Sequence, residues 1–493
     1  MKNLTLKFGL ILLLLVSISG CGEDFLSTYP TEDVSNEIVT TSPANMMLGI
    51  NGIHRSLYVR YGCQGCVGLG ALMIHNDAMG DDLVMTRTSS TWFYGAYRWQ
   101  VHRNATARDN LLPWTIYYQV VRNANVIIDG EENAEGPQAE IDIPVGQAYF
   151  YRAFSHFQLV QLYAERYRGG ETNSQPGIPI VTLPENVGQP RATVEQVYQQ
   201  IHDDLTEAIN RLENYSRPNK SHIDASVARG LKARVYLVQQ DWPNAITYAQ
   251  DARAGYSLMT QSEYTAGFND YTNVEWMWGS HIAEDQSDRF GNFGAQISRN
   301  NSTTFIRTNP MAINENLYSA FPASDIRLAN FDPTGEHEDL DLPSNFSKAP
   351  YTNEKFIAVS ESDSRVDVPY MRAAEMYLIE AEAKANLGDP TAADVLFDLV
   401  SERDDDYVRS TNTGQALLDE IYLNRRLEFW GEGFRFYDLK RLNQDMDRTN
   451  SNHNTTSASN VMFIEAGTNE WVYLIPQDEL NANPEMEQNP TND

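Results

Sequence analysis

The side chains best suited to chemistry in this chain are rings and amides crowded into two irregular segments. The run Ser90-Thr-Trp-Phe-Tyr-Gly-Ala-Tyr-Arg-Trp99 sets aromatics close together without evident helical spacing, and Asn76, Asp77, Asp81 and Asp82 precede it. A second segment, Arg289-Phe-Gly-Asn-Phe-Gly-Ala-Gln296, places Phe290 and Phe293 among glycines, with Asn292, Gln296 and Asn300 adding amides. Exposed flat rings stack on the apolar faces of sugars, while amides, carboxylates and guanidinium groups bind the hydroxyl rims. The candidate carbohydrate-binding residues are therefore Trp92, Tyr94, Tyr97 and Asp81 in the first segment, and Phe290, Asn292, Phe293 and Gln296 in the second. The competing reading is that the rings pack loops onto a scaffold, and for Phe93 and Trp99 packing is preferred.

A catalytic pair is the other chemistry to weigh. Glu428 and Glu432 lie one helical turn apart and resemble the acid and base of a glycosidase. Arg425, Arg426, Arg435, Lys440 and Arg441 crowd the same stretch, and neighbouring cations keep carboxylates ionised and unfit to donate a proton. The stretch therefore reads as an ion-pair network. No nucleophile elbow, phosphate-cradling Walker loop or zinc-protease helix is present, and the histidines are scattered. No catalytic residue, cofactor or metal is expected; Asp404-Asp-Asp406 reads as a solvated acidic turn rather than a calcium loop.

The chain opens as an exported protein does. Lys2 and Lys7 precede the apolar run Phe8 to Val16 and then small residues, which is the layout of a signal peptide over 1–20. That run is shorter than the ~20 residues a spanning helix requires. Ile18-Ser-Gly-Cys21 matches the bacterial lipobox, which makes Cys21 the lipidation site, and two or more acyl chains anchor a protein stably. The acidic residues Glu23 and Asp24 look like a surface-export signal. In an oxidising exterior Cys63 and Cys66 read as a small loop disulfide; a redox pair or a zinc site fits the flanking glycines less well. A formal charge of -30 opposes binding to nucleic acid and to anionic lipid, and favours a neutral ligand.

Helical periodicity dominates the elements that must position these residues. Apolar side chains recur at three- and four-residue steps over Glu140 to Ala164, Asn110 to Asp129 and Val194 to Leu212, the last entered through Thr193 as N-cap. Ala225 to Gln240 and Ala245 to Ala254 form a pair around the turn 241–244. Arg372 to Leu387 and Thr391 to Arg403 repeat the plan around Gly388-Asp-Pro390, and both pairs resemble tetratricopeptide units. Ser257 to Val368 is rich in Asn, Ser, Thr, Gly, Pro and aromatics, with short extended runs at Val274 to His281 and Lys355 to Val359. The predicted fold is all-α: one domain over 21–493, a helical scaffold about 21–256 and 369–493 carrying a loop-rich, ligand-facing insertion about 257–368. Gly62 to Arg108 reads as a second loop-rich block.

Several stretches resemble the SusD/RagB family. They are Arg425-Arg-Leu-Glu-Phe-Trp-Gly-Glu-Gly-Phe-Arg-Phe-Tyr-Asp-Leu-Lys-Arg441, the ending Leu474-Ile-Pro-Gln-Asp-Glu-Leu-Asn-Ala-Asn-Pro484 with Gln488-Asn-Pro490, the helices Gln147 to Tyr163 and Met371 to Gly388, and the opening Cys21 to Pro30. The resemblance implies an all-α scaffold of tetratricopeptide-like units, lipid-anchored on the outer membrane. It also implies a TonB-dependent outer-membrane barrel as partner and an oligosaccharide as ligand. Alternatives are capture of a peptide or other small nutrient, and an assembly role without a ligand.

Overall fold

The computed structural model describes residues 36–88, 91–185, 187–340 and 342–491. The signal segment and Cys21 lie outside the described residues. The helices follow from the apolar stripes and their caps. Val194–Leu212 (α5) starts on a capping box, with the Thr193 hydroxyl on the Gln196 N–H and the Gln196 side chain on the Thr193 N–H, and buries Val197, Ile201, Leu205 and Ala208. Ala225–Gln239 (α6) is capped by Asp224, whose carboxylate accepts from the Val227 N–H, and ends where Gln240 turns left-handed. The next helix, Trp242–Arg253 (α7), begins inside the expected turn, because Asp241 caps it and Pro243 needs no hydrogen-bond partner in a first turn.

The other principal helices are Pro43–Ser56 (α1), Gly68–Met79 (α2), Arg108–Asp129 (α3), Gln138–Tyr163 (α4), Ala373–Asn386 (α8), Ala392–Val400 (α9), Gln415–Phe429 (α10) and Arg435–Leu442 (α11). From α3 to α9 each helix packs on the next, including α7 on α8 across the long insertion between them. The stack is thus continuous in space although the chain leaves it for over a hundred residues. Small side chains allow the close crossings: a Cβ on Gly146 of α4 would stand 2.8 Å from the Leu212 side chain at the end of α5. The all-α, tetratricopeptide-like scaffold with short strands in its insertion is the fold observed.

The block 62–108 departs from expectation, since α2 crosses it. Every residue of α2 is buried. A helix covered on all sides has no polar stripe, so periodicity could not reveal it. Beyond α2, Leu83–Met85 (β1) pairs antiparallel with Met311–Ile313 (β3), the start of a sheet ordered β1-β3-β5-β4 with Thr352–Asn353 (β5) and Phe331–Asp332 (β4). The remaining insertion strand, Trp276–Ser280 (β2), pairs with Val368–Arg372 (β6), and both tryptophans are core. The two loop-rich segments are therefore one layer, hydrogen-bonded to each other.

That layer is held to the helices by charge. Arg372 Nη1 lies 2.9 Å from Glu428 and its Nη2 2.7 Å from Glu432, and Arg372 also pairs with Glu275. Arg403 lies 2.7 Å from Glu275 and 3.2 Å from Glu428, Lys355 2.7 Å from Glu432, and Arg327 2.6 Å from Asp325. All eight side chains are buried. Burial by itself raises the pKa of Glu428, but Arg403, Arg372 and Arg327 outweigh it and hold the carboxyl well below the usual range.

Because the folded-state pKa of Glu428 is depressed, its contribution is complete above the unfolded value of about 4.3 and is lost as pH falls below it. Glu428→Gln leaves buried guanidinium groups underpaired, and we expect a loss of about 3–5 kcal/mol in urea unfolding at pH 7. The deficit should shrink as the pH is lowered below 4; an unchanged midpoint at pH 7 would contradict the role assigned to this carboxylate.

Candidate functional site

Most of the candidate rings of the first segment turn inward. Phe93 takes a left-handed backbone (φ 68°) and opens a single helical turn, Tyr94–Tyr97, so that Tyr94 and Tyr97 face the same way three residues apart. Both are buried. The Tyr94 hydroxyl donates to the Arg87 carbonyl (2.5 Å), while the Tyr97 hydroxyl meets His453 Nδ1 (2.6 Å) and its ring lies under Arg448 (4.3 Å). The expectation that these two tyrosines stack a sugar is thereby corrected: their spacing was helical after all, and their faces are covered by protein.

Asp81 is likewise structural. Its carboxylate lies 2.6 Å from Arg435, and Asp82 pairs with Arg426, so the end of α2 is clamped to the C-terminal helices. Burial pushes the Asp81 carboxyl up, but Arg435 and Arg426 pull it well below the ordinary range. Nearby Asp77 accepts from the Gly433 N–H (2.9 Å) and the Arg435 N–H (3.3 Å), and burial raises it to about 7.

In the second segment Phe293 is buried against Phe356 and against Gly70, where a Cβ would lie 3.0 Å from its own. Asn292 is buried too; its amide donates to Ser364 Oγ (2.7 Å) and to the Asp288 carbonyl (2.9 Å). Neither is placed to meet a ligand, because glycine neighbours let the loop sink onto α2. Phe290 is different: it is 42 % exposed, and Trp92 is half-buried.

These two open rings flank a single loop. Cys63 and Cys66 form a disulfide, which closes the tight turn holding Gln64 and Gly65. Trp92 lies against Gly65, where a Cβ would approach its ring to 2.9 Å. On the other side the buried Gln296 amide donates at once to the Gln64 carbonyl (3.0 Å) and the Phe290 carbonyl (3.1 Å). Gln296 is therefore a bridge rather than a ligand contact, and sequence alone gave it the wrong role. Arg60 reaches across the same loop to Asp288 (2.8 Å). The arrangement is two partly exposed rings, each beside one cross-linked turn, and such rings offer stacking surfaces rather than groups for acid–base or nucleophilic chemistry.

A cluster that sequence reasoning missed lies in the insertion. Side-chain atoms of Asp332, His337 and Glu354 come within 4.8 Å of one another, and His337 Nε2 also meets the Thr352 hydroxyl (2.5 Å). These residues are up to 22 positions apart, and only the β4–β5 pairing brings them together. The Asp332–His337–Glu354 contacts close the turn between those strands. Among the described residues no helix is long and apolar enough to cross a membrane.

Comparison with known proteins gives this architecture its context. A model of the SusD family matches residues 337–491, and one described as "Starch-binding associating with outer membrane" matches 68–237; between them they account for well over half the chain. The chain belongs to the SusD family. The SusD-like protein P38 of Formosa agariphila is 23 % identical over 90 % of this chain and 92 % of its own length. A SusD-like carbohydrate-binding protein from Bacteroides vulgatus superposes with a TM-score of 0.79 at 27 % identity, covering 90 % of this chain and 97 % of that one. A laminarin-binding SusD-like protein shares the fold at 0.69 and 22 % identity, covering 91 % and 99 %. The SusD-family matches stop short of Phe290, which lies in the unmatched stretch between them.

The cross-linked turn carries a testable consequence. Replacing both Cys63 and Cys66 by serine should lower stability by about 2 kcal/mol, the loop-closure entropy of so short a ring. Hydrogen exchange at Gln64 and Gly65 should rise while exchange within α4 stays unchanged; equal protection in both forms would mean that the disulfide does not hold this face.

Proposed function

We propose that this protein captures oligosaccharide at the face formed by Trp92, the 63–66 turn and Phe290, and passes it to a TonB-dependent outer-membrane barrel without acting on it chemically. The observation that carries the reading is that the two candidate segments, distant in sequence, each leave one ring at least partly exposed beside the same cross-linked turn. Two stacking platforms on a preorganised surface suit a chain of sugars, and a shallow face with few polar anchors releases its ligand readily. The carbohydrate-binding relative from Bacteroides vulgatus and the laminarin-binding relative support the ligand class.

Residence on the outer membrane through lipid at Cys21 completes the proposal, in keeping with the family-model description. An enzymatic alternative would need a titratable acid and base beside the ligand. Glu428 and Glu432 are instead buried in the ion-pair network, paired with Arg372.

Trp92→Ala and Phe290→Ala should each weaken retention of the bound glycan in an affinity gel by about tenfold, corresponding to loss of a stacking contact worth about 1–2 kcal/mol. Tyr97→Phe, a change at a covered ring, should leave retention as in the wild type. If the two alanine variants bind as tightly as the parent, the proposed face is not the binding surface.

A further inference from the structure

The ligand class can be narrowed from what lies against the two open rings. Arg108, the first residue of α3, holds its guanidinium carbon 5.6 Å from the centre of the Trp92 ring, and Arg289 stands at the same 5.6 Å from Phe290. Each platform is thus paired with an arginine, and the two pairs come from unrelated parts of the chain. Both arginines are exposed to water. Arg289 has no carboxylate within ion-pair distance among the described residues, and Arg108 has only its neighbour Asp109, at 3.5 Å with the arginine side chain 56 % exposed. Arg60, by contrast, is committed to Asp288.

We infer that the captured glycan is acidic, carrying carboxylate or sulfate groups on sugar rings that stack on Trp92 and Phe290 while Arg108 and Arg289 bind the oxyanions. This inference rests on the capture reading above. A guanidinium presents a planar fork of donors that matches an oxyanion in two parallel hydrogen bonds, and it is more weakly hydrated than an ammonium group. A neutral sugar also accepts hydrogen bonds from a guanidinium, but only an oxyanion neutralises its charge and fills both arms of its fork. The formal charge of -30 argues for a neutral ligand only at long range. At physiological ionic strength charges further apart than about 8 Å are largely screened, so the groups in contact decide. The nearby carboxylates Asp288 and Asp109 do not cancel the pattern, since the first is taken by Arg60 and the second pairs with Arg108 at 3.5 Å on the surface, where such a pair is weak.

Native gels cast with polygalacturonate, which offers carboxylates, carrageenan, which offers sulfate esters, and the neutral glucans laminarin and amylopectin distinguish the sources. The purified chain should be retarded by polygalacturonate or by carrageenan, at least tenfold more strongly than by either glucan. Retardation should weaken as sodium chloride is raised. Arg108→Gln and Arg289→Gln should each reduce it several-fold, and the double variant should abolish it, with unfolding temperatures unchanged because both side chains are on the surface. Retention by laminarin or amylopectin that Trp92→Ala removes and the arginine variants spare would overturn the acidic assignment and leave glycan capture standing. Retention by none of the four would count against both.

Discussion

Arg327, Lys355, Arg372 and Arg403 meet Glu275, Asp325, Glu428 and Glu432 where almost no water reaches them. The cations and carboxylates are equal in number, and nearly all come from different elements: Glu428 from α10, Arg372 from β6, Glu275 from the approach to β2, Lys355 from just beyond β5. Bringing such groups out of water costs several kcal/mol per ion, and their mutual attraction repays it only when every partner is present. The cluster therefore adds little net stability by itself. It penalises any arrangement in which the insertion sits elsewhere on the helices, because a misplaced layer strands a buried charge. The loops of the insertion can be long and polar because their footing is specified in this way.

The second clamp works by the same logic closer to the site. Arg435 and Arg426 hold Asp81 and Asp82, the Gly433 and Arg435 amides hold Asp77, and Trp430 donates to the Asp82 carbonyl (3.0 Å). The C-terminal helices thus fix α2, on which Phe293 and the 288–296 loop rest. Gln296 carries the order one step further, to the disulfide turn and Phe290. Buried ion pairs, apolar packing and the Gln296 bridge thus connect the protein's centre to the turn beside Trp92 and Phe290.

This geometry also separates binding from catalysis. Carboxylates are plentiful in the chain, yet those of Glu428, Glu432 and Asp81 answer to arginines. Rings are plentiful too, yet most of those in the two segments serve the core. The proposed ligand surface is correspondingly small: two rings, two arginines and the turn beside them.

Sequence alone determined the scaffold, since helical stripes and caps are local physics: α5 begins and ends where its periodicity does, and the arginine-rich stretch reads as an ion-pair network from charge density alone. The two segments also announced themselves, through rings placed where no stripe required them. Only the tertiary structure decided which rings remain open. Tyr94 and Tyr97 are as suitable as Trp92 in type and position, and His453 and Arg448, more than 350 residues away, are what cover Tyr97. The α2 helix stayed hidden because burial on every side erases the polar face by which helices are recognised. Gln296 could not be told from a ligand contact, because its two acceptors belong to loops that meet only in the folded chain. Exposure and partnership are properties of long-range packing, and no window of sequence contains them.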